Sequence, residues 1–111
     1  MTDKIVVFNT CGSAAEAERL ARSLVDRRLA ACVNVISPVT SFYRWDGAIT
    51  RDEEWLLVIK TSRPLFDALR AAIESAHSYE LPEVIALPVI EGAEGYLAWL
   101  DRELPPPADI E

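Results

Sequence analysis

Residues able to do covalent or metal chemistry are scarce. The 111-residue chain has one histidine, His77, and two cysteines, Cys11 and Cys32. A structural zinc site takes four nitrogen or sulfur ligands at close spacing, and these three residues do not meet that standard. Two cysteines make no disulfide framework, so reduced thiols in a cytoplasmic protein are expected. A Ser-His-Asp or Cys-His arrangement would have to use His77, with unspecified partners. No phosphate loop, dinucleotide fingerprint or zinc-protease helix motif is present, so a non-enzymatic protein is expected. Long apolar stretches are also missing. No run of about 18 apolar residues exists to cross a membrane. Met1-Thr2-Asp3-Lys4 leads straight into a short apolar segment, without the longer apolar stretch of a signal peptide. Basic charge is deficient too: 11 Lys and Arg face 18 Asp and Glu, for a net charge of −7. Such a chain lacks the basic footprint that releases counterions from nucleic acid. Arg19, Arg22, Arg27 and Arg28 do cluster, and they read as a solvated helix face paired with Glu16, Glu18 and Asp26.

What remains is ordinary globular composition, half hydrophobic and 26% charged. Ile5–Phe8 reads as a buried strand. Ser13 and Glu16 form a capping-box pattern ahead of a helix over about 14–28. Ala17, Leu20, Ala21, Leu24 and Val25 recur on one face of it. From Ala30 to Thr61 the period changes to that of a strand pair, with Asp46-Gly47 as its turn. Trp55, Leu57 and Ile59 share one face of the return strand, and Leu56 and Val58 the other. Pro38 cannot donate to a ladder and predicts a bulge or an edge. Ser62-Arg63-Pro64 opens a second helix, whose apolar face includes Leu65, Phe66, Leu69, Ala72 and Ile73. Val84–Ile90 is nearly all apolar and reads as a strand covered on both faces. A third helix spans Tyr96–Leu104, with Leu97, Leu100 and Leu104 inward. Residues 1–104 form a single domain, and the Pro-rich residues 105–111 a mobile tail.

The order β-α-β-β-α-β plus a terminal helix predicts an α+β fold: a ferredoxin-like βαββαβ sandwich. A strand of about 14 residues spans about 46 Å. A domain of this size is only about 34 Å across. The hairpin is therefore expected to project, exposing Phe42, Tyr43, Trp45 and Trp55. Projecting edges and aromatic area need cover, and another copy of the chain supplies it most simply.

His77 is followed by Ser78-Tyr79-Glu80-Leu81-Pro82-Glu83. It reads either as a metal ligand or proton-transfer group beside two carboxylates, or as a cation at a helix C-terminus. Spacing alone favours the second. Cys11 falls just past the first strand, where partial exposure is expected, and Cys32 reads as core. Tyr43, Trp45, Trp55, Tyr79 and Trp99 read first as core and subunit packing, then as candidate pocket lining. Lys60 reads as a snorkelling lysine, an ion-pair partner or an anion contact.

Several segments in order, Leu29-Ala30-Ala31-Cys32-Val33-Asn34, Ser41-Phe42-Tyr43-Arg44-Trp45-Asp46-Gly47, Ile59-Lys60-Thr61, His77-Ser78-Tyr79-Glu80-Leu81-Pro82-Glu83 and Tyr96-Leu97-Ala98-Trp99-Leu100, resemble the CutA divalent-cation tolerance family. The resemblance runs from about residue 5 to 104. It implies a ferredoxin-like homotrimer held by extended hairpins, kinship of fold with the PII signalling proteins, and a role in tolerance of copper or another divalent cation. Family members proposed to bind copper carry a Cys late in the first strand and a second His; Asn9 and Ala76 occupy those positions here, and Ser78 replaces a usual Pro. The metal candidates are therefore His77, which carries over, with Cys11, Glu80 and Glu83 as helpers. An alternative is a PII-like signalling module that binds a small anionic metabolite at subunit clefts, with Lys60 and the arginine cluster as its contacts; Lys60, Tyr79 and Trp45 are the expected ligand contacts. An unidentified protein partner or small ligand stays open under both readings.

Overall fold

The computed structural model describes residues 2–105, so most of the expected tail, residues 106–111, lies outside the described residues. In chain order the elements are β1 (Lys4–Cys11), α1 (Ala14–Asp26), β2 (Cys32–Trp45), β3 (Ala48–Ser62), a 3₁₀ turn (Arg63–Leu65), α2 (Phe66–Ala76), β4 (Ile85–Pro88) and α3 (Glu94–Glu103). The strands form one antiparallel sheet in the order β2-β3-β1-β4. This is the ferredoxin-like α+β plan that the element order implies.

The period of two along each strand sorts the sheet into two unlike faces. Ile5, Val7, Asn9 and Cys11 of β1 stand opposite Thr61, Ile59, Leu57 and Trp55 of β3. On this face they join Leu20 and Leu24 of α1 and Leu69 and Ile73 of α2 in the core. Val6, Phe8, Leu56 and Val58 alternate onto the opposite face, where they are only half-buried. The alternation also puts Ile36, Ile85 and Leu87 there, and all three are exposed. Val84–Ile90 thus differs from the expectation: its ladder is only Ile85–Pro88, and all four residues are exposed. An edge strand with one uncovered face is apolar for a reason other than burial within its own chain.

The hairpin projects as its length requires. β2 and β3 run 14 and 15 residues, and the longest dimension of the molecule is 44 Å against 27 and 23 Å across. Its turn places Asp46 at φ 51° and Gly47 at φ 79°, the two positive values of a type I′ turn, whose twist matches the strands it joins. The bulge expected at Pro38 is present, as a register shift between Ile36 and Val39. Val35 pairs with Leu57 before it and Val39 with Glu54 after it, so one extra residue is inserted in β2. The insertion reverses the parity. Odd-numbered residues point to the helix-covered face before the bulge, and to the face of Glu54, Leu56 and Val58 after it. Tyr43 and Trp45 are re-aimed in this way.

α1 ends at Asp26, two residues short of the expected Arg28. Arg28 takes φ 57°, a left-handed conformation, while the amides of Leu29 and Ala30 both return to the Leu24 carbonyl. That is a helix-stop geometry that Gly usually provides. Val25, expected on the apolar face, is exposed. Of the arginine cluster, Arg22 approaches Glu18 at 3.8 Å and Arg28 approaches Glu103 at 3.9 Å, both in solvent. Glu16 is not among their partners in these pairs. α3 begins two residues earlier than expected, and Leu97, Leu100 and Leu104 pack against Leu29, Ala31 and Leu65.

Candidate functional site

The site grows from the last residues of β1. Because this strand continues through Cys11, Asn9 and Cys11 share the helix-covered face, and both are wholly buried. The partial exposure expected of Cys11 is therefore corrected: the ladder to Trp55 carries it into the core. Its thiol donates to Asn9 Oδ1 at 3.4 Å. Asn9 in turn donates through Nδ2 to the Glu83 carbonyl at 2.9 Å. Burial first, then the charges of Glu16 and Glu54, push the Cys11 thiol up to about 12.

Glu16 enters from the first turn of α1. Ser13 caps the helix by accepting from the Glu16 amide at 3.2 Å, as the motif predicts. The other half of the capping box is not made. Instead the Glu16 side chain turns to the chain after α2 and accepts from the Ser78 amide at 2.7 Å and the Ser78 hydroxyl at 2.9 Å. Loss of hydration opposes ionisation of this buried carboxyl. The bonds from Ser78, the charge of His77 when protonated and the Gly12 amide outweigh it, holding the carboxyl below its usual range. Reading Glu16 as a capping residue assigned it the Ser13 amide as partner, whereas its two closest hydrogen bonds come from Ser78, 62 residues away.

His77 closes the group from the C-terminal end of α2, with its side chain fully buried. Its Nε2 lies 2.8 Å from the Thr10 carbonyl and 3.7 Å from Cys11 Sγ. Its Nδ1 accepts from the Tyr79 amide at 3.1 Å and lies 3.6 Å from Glu16 Oε2. A carbonyl only accepts and an amide N–H only donates, so this arrangement assigns the ring proton to Nε2. The reading of His77 as a cation against a helix C-terminus is thereby replaced: the ring is a buried link between β1 and the residues after α2.

One donor atom each from Cys11, Glu16 and His77 lies within 4.8 Å of the others. Ligands around a tetrahedral metal sit about 3.5 Å apart, given bonds of about 2.0–2.3 Å. These donors lie up to 4.8 Å apart, so a soft or borderline cation would need them to draw together before all three could bind it. Binding would also displace existing bonds, because Nε2–H faces Thr10 and the thiol faces Asn9. Glu80 and Glu83 do not belong to this group. Glu80 is exposed, and Glu83 contributes its carbonyl to Asn9 while its side chain lies outside the core.

Tyr79 joins this network to a second concavity on the hairpin side. Its amide serves His77, and its hydroxyl donates to Glu54 Oε2 at 2.8 Å. Gly12 makes room, since a Cβ there would meet the Tyr79 hydroxyl at 3.1 Å. Burial and the Glu54 carboxylate push the Tyr79 phenol well above its usual range. The concavity, about 420 Å³, is lined by Thr10, Tyr43, Trp45, Glu54, Tyr79 and Glu83 among others. Two of the three expected ligand contacts, Trp45 and Tyr79, therefore meet. The third does not: Lys60 points from the sheet to Asn34 Oδ1 at 2.5 Å. Cys32, paired with Lys60, is half-buried and lies outside both core clusters. Trp55 packs on the core and Trp99 on the α3 cluster.

Comparison with known proteins places these features in a family. Residues 5–103 match the family described as CutA1 divalent ion tolerance protein. A divalent-cation tolerance protein CutA of Thermus thermophilus is 44% identical over 95 residues, covering 86% of this chain and 92% of that protein. The human protein CutA is 48% identical over 93 residues, but the match covers only 52% of its length against 84% of this chain. Among solved structures, the Thermus thermophilus divalent cation tolerance protein superposes with a TM-score of 0.89 at 41% identity, covering 92% of this chain and 99% of that one. CutA1 of Oryza sativa gives 0.90 at 42%, covering 92% and 94%. With a match that spans nearly every described element, the chain belongs to the CutA1 divalent ion tolerance family.

Proposed function

We propose that this chain is a non-enzymatic, cytoplasmic divalent-cation tolerance protein that binds copper or a similar cation at Cys11, Glu16 and His77 and works as a homotrimer. The observation that carries the metal reading is the convergence of those three donors, from three separate elements, within 4.8 Å. The mixed sulfur, nitrogen and oxygen set suits copper better than a hard cation such as magnesium. Asn9, in the position where copper-binding relatives are proposed to carry Cys, stands on the same face as Cys11, so the thiol is displaced by two residues and kept in the network. Support for assembly comes from the uncovered sheet face of Phe8, Ile36, Val58, Ile85 and Leu87 and from the exposed hairpin aromatics. An apolar face of this kind is the usual mark of a subunit contact.

Metal capture must remove a proton from a thiol that titrates near 12, so affinity rises with pH across the neutral range. Native mass spectrometry of the reduced protein, with one equivalent of copper per chain, tests the reading. The expected species is a trimer carrying one copper per chain, with uptake lost in Cys11→Ser and His77→Ala while the trimer persists. A wild-type protein that takes up no copper would overturn the metal assignment, and a monomer would overturn the assembly.

A further inference from the structure

The His77 ring has no nitrogen to spare. A neutral imidazole carries one N–H and one lone pair. Here the N–H is at Nε2 and donates to the Thr10 carbonyl at 2.8 Å. The lone pair is at Nδ1, and the Tyr79 amide donates to it at 3.1 Å. A cation at His77 must therefore take the lone pair that Tyr79 holds, and both ring nitrogens lead to the same result. Coordination through Nδ1 displaces the Tyr79 N–H directly. Coordination through Nε2 requires the ring proton to move to Nδ1, and two N–H donors then face each other. The bond to Thr10 favours the first route, because a ligating histidine usually donates its other ring N–H to a carbonyl or a carboxylate.

The segment that carries this amide, residues 78–83 between α2 and β4, is anchored by the same cluster. Ser78 donates through its amide and its hydroxyl to the two oxygens of Glu16, at 2.7 and 2.9 Å. The Tyr79 hydroxyl donates to Glu54 Oε2 at 2.8 Å. The Glu83 carbonyl accepts from Asn9, which in turn accepts from the Cys11 thiol. Cys11, Glu16 and His77 are thus the cation candidates and also the groups that hold this segment down, Cys11 by way of Asn9.

We propose that the Tyr79 amide is a built-in competitor for the His77 ring nitrogen: a cation binds His77 only by releasing it, and the anchors of Ser78 on Glu16 and of Tyr79 on Glu54 set how readily it lets go. This deepens the metal reading and rests on it. The coupling is reciprocal, so whatever loosens the segment tightens cation binding, and a bound cation loosens the segment. The contact also sorts cations. A copper-like ion, for which imidazole is a good ligand, can offset the lost bond, whereas a hard ion such as magnesium gains too little from a ring nitrogen to do so. The competition is internal to one chain and needs no free surface on the segment.

The test uses the full, reduced, isotope-labelled chain with copper(I), a diamagnetic ion, as the probe. The Tyr79-to-His77 bond is read as a nitrogen–nitrogen coupling across the hydrogen bond, and copper uptake is counted on the same samples by native mass spectrometry. The coupling is expected without copper and is expected to vanish on loading, with the Tyr79 amide proton shifting as its acceptor is lost. Tyr79→Phe removes an anchor but no candidate ligand, and is expected to bind copper about fivefold more tightly, the factor that one neutral hydrogen bond is worth. Ser78→Ala, at an exposed position, is expected to tighten binding as well. A coupling that persists in the copper-loaded protein overturns this inference and leaves the metal reading standing. So does copper affinity that is equal to or weaker than that of the wild type in both variants. Absence of copper uptake by the wild type overturns the metal reading and this inference with it.

Discussion

The two faces of the sheet carry similar amounts of apolar side chain and do opposite things with it. Under α1 and α2, Val7, Leu57, Ile59 and Ile73 are fully buried, and the polar groups among them, Asn9, Glu16 and Thr61, each have a hydrogen-bond partner. On the other face Val6, Phe8, Leu56 and Val58 lie half-covered and Ile36, Ile85 and Leu87 in the open. The first face is a core that the chain completes by itself. The second is an apolar surface that the chain's own helices leave uncovered. The lesson is that apolar content does not say which surface folding will close. Only the placement of the helices does.

The sharpest way to break the comparison is to change neighbouring residues of β3 that point to opposite faces. Leu57→Ala opens a cavity in the closed core and is expected to cost about 2–5 kcal/mol in urea unfolding. Val58→Glu, one residue along, is expected to leave the secondary structure intact but to weaken self-association by about 2 kcal/mol or more, read by sedimentation velocity against concentration. If Val58→Glu instead unfolds the chain and leaves association untouched, the division between the faces is wrong.

A smaller effect comes from the charges buried on the closed face. Cys11 is raised from 9.0 to about 12, so over that window the unfolded chain loses a proton that the folded chain keeps. Stability is therefore full below pH 9 and falls as pH rises toward 12, by at most about 1.4 kcal/mol per pH unit. Glu16 has the opposite sign. Its lowered value means that its contribution is present above the usual carboxylate range and is lost as pH falls through the folded value. Denaturant midpoints across pH are expected to show both flanks, with Cys11→Ala reducing the alkaline one, to which the raised Tyr79 phenol also contributes, and Glu16→Gln reducing the acid one.

The smallest effect lies where the two regions meet. Tyr79→Phe deletes the hydroxyl that reaches Glu54 but retains the amide that reaches His77. Its expected cost is about 1 kcal/mol. Amide shifts should change around Glu54 while the His77 ring resonances stay in place. Movement of both would show that the two regions behave as one.

Much of this was legible from local pattern. The capping serine, the Asp46-Gly47 turn, the bulge at Pro38 and the length of the hairpin each follow from residue types whose conformational preferences act within a few positions. His77 and Cys11 were also found as candidates, because so few residues of their chemistry exist in the chain. Glu16 was misassigned for the same reason that Ser13 was read correctly: a capping box is a local motif, and nothing within it records a competing partner such as Ser78. Nor could spacing place Glu80 and Glu83 outside the cluster, since nearness to His77 along the chain says nothing of where an extended segment carries each side chain.

The sequence by itself thus determined the order of elements, the antiparallel hairpin and its projection beyond the globule, through periods of two and 3.6 residues and through turn chemistry. The tertiary structure alone decided which face of the sheet the helices cover and that a single inserted residue in β2 turns Tyr43 and Trp45 toward Glu54. It alone brought Cys11, Glu16 and His77 together. The physical reason is that strand parity and helix docking are long-range: one extra residue reverses every side chain beyond it, and a buried carboxylate goes to the donors that packing supplies, however distant in sequence.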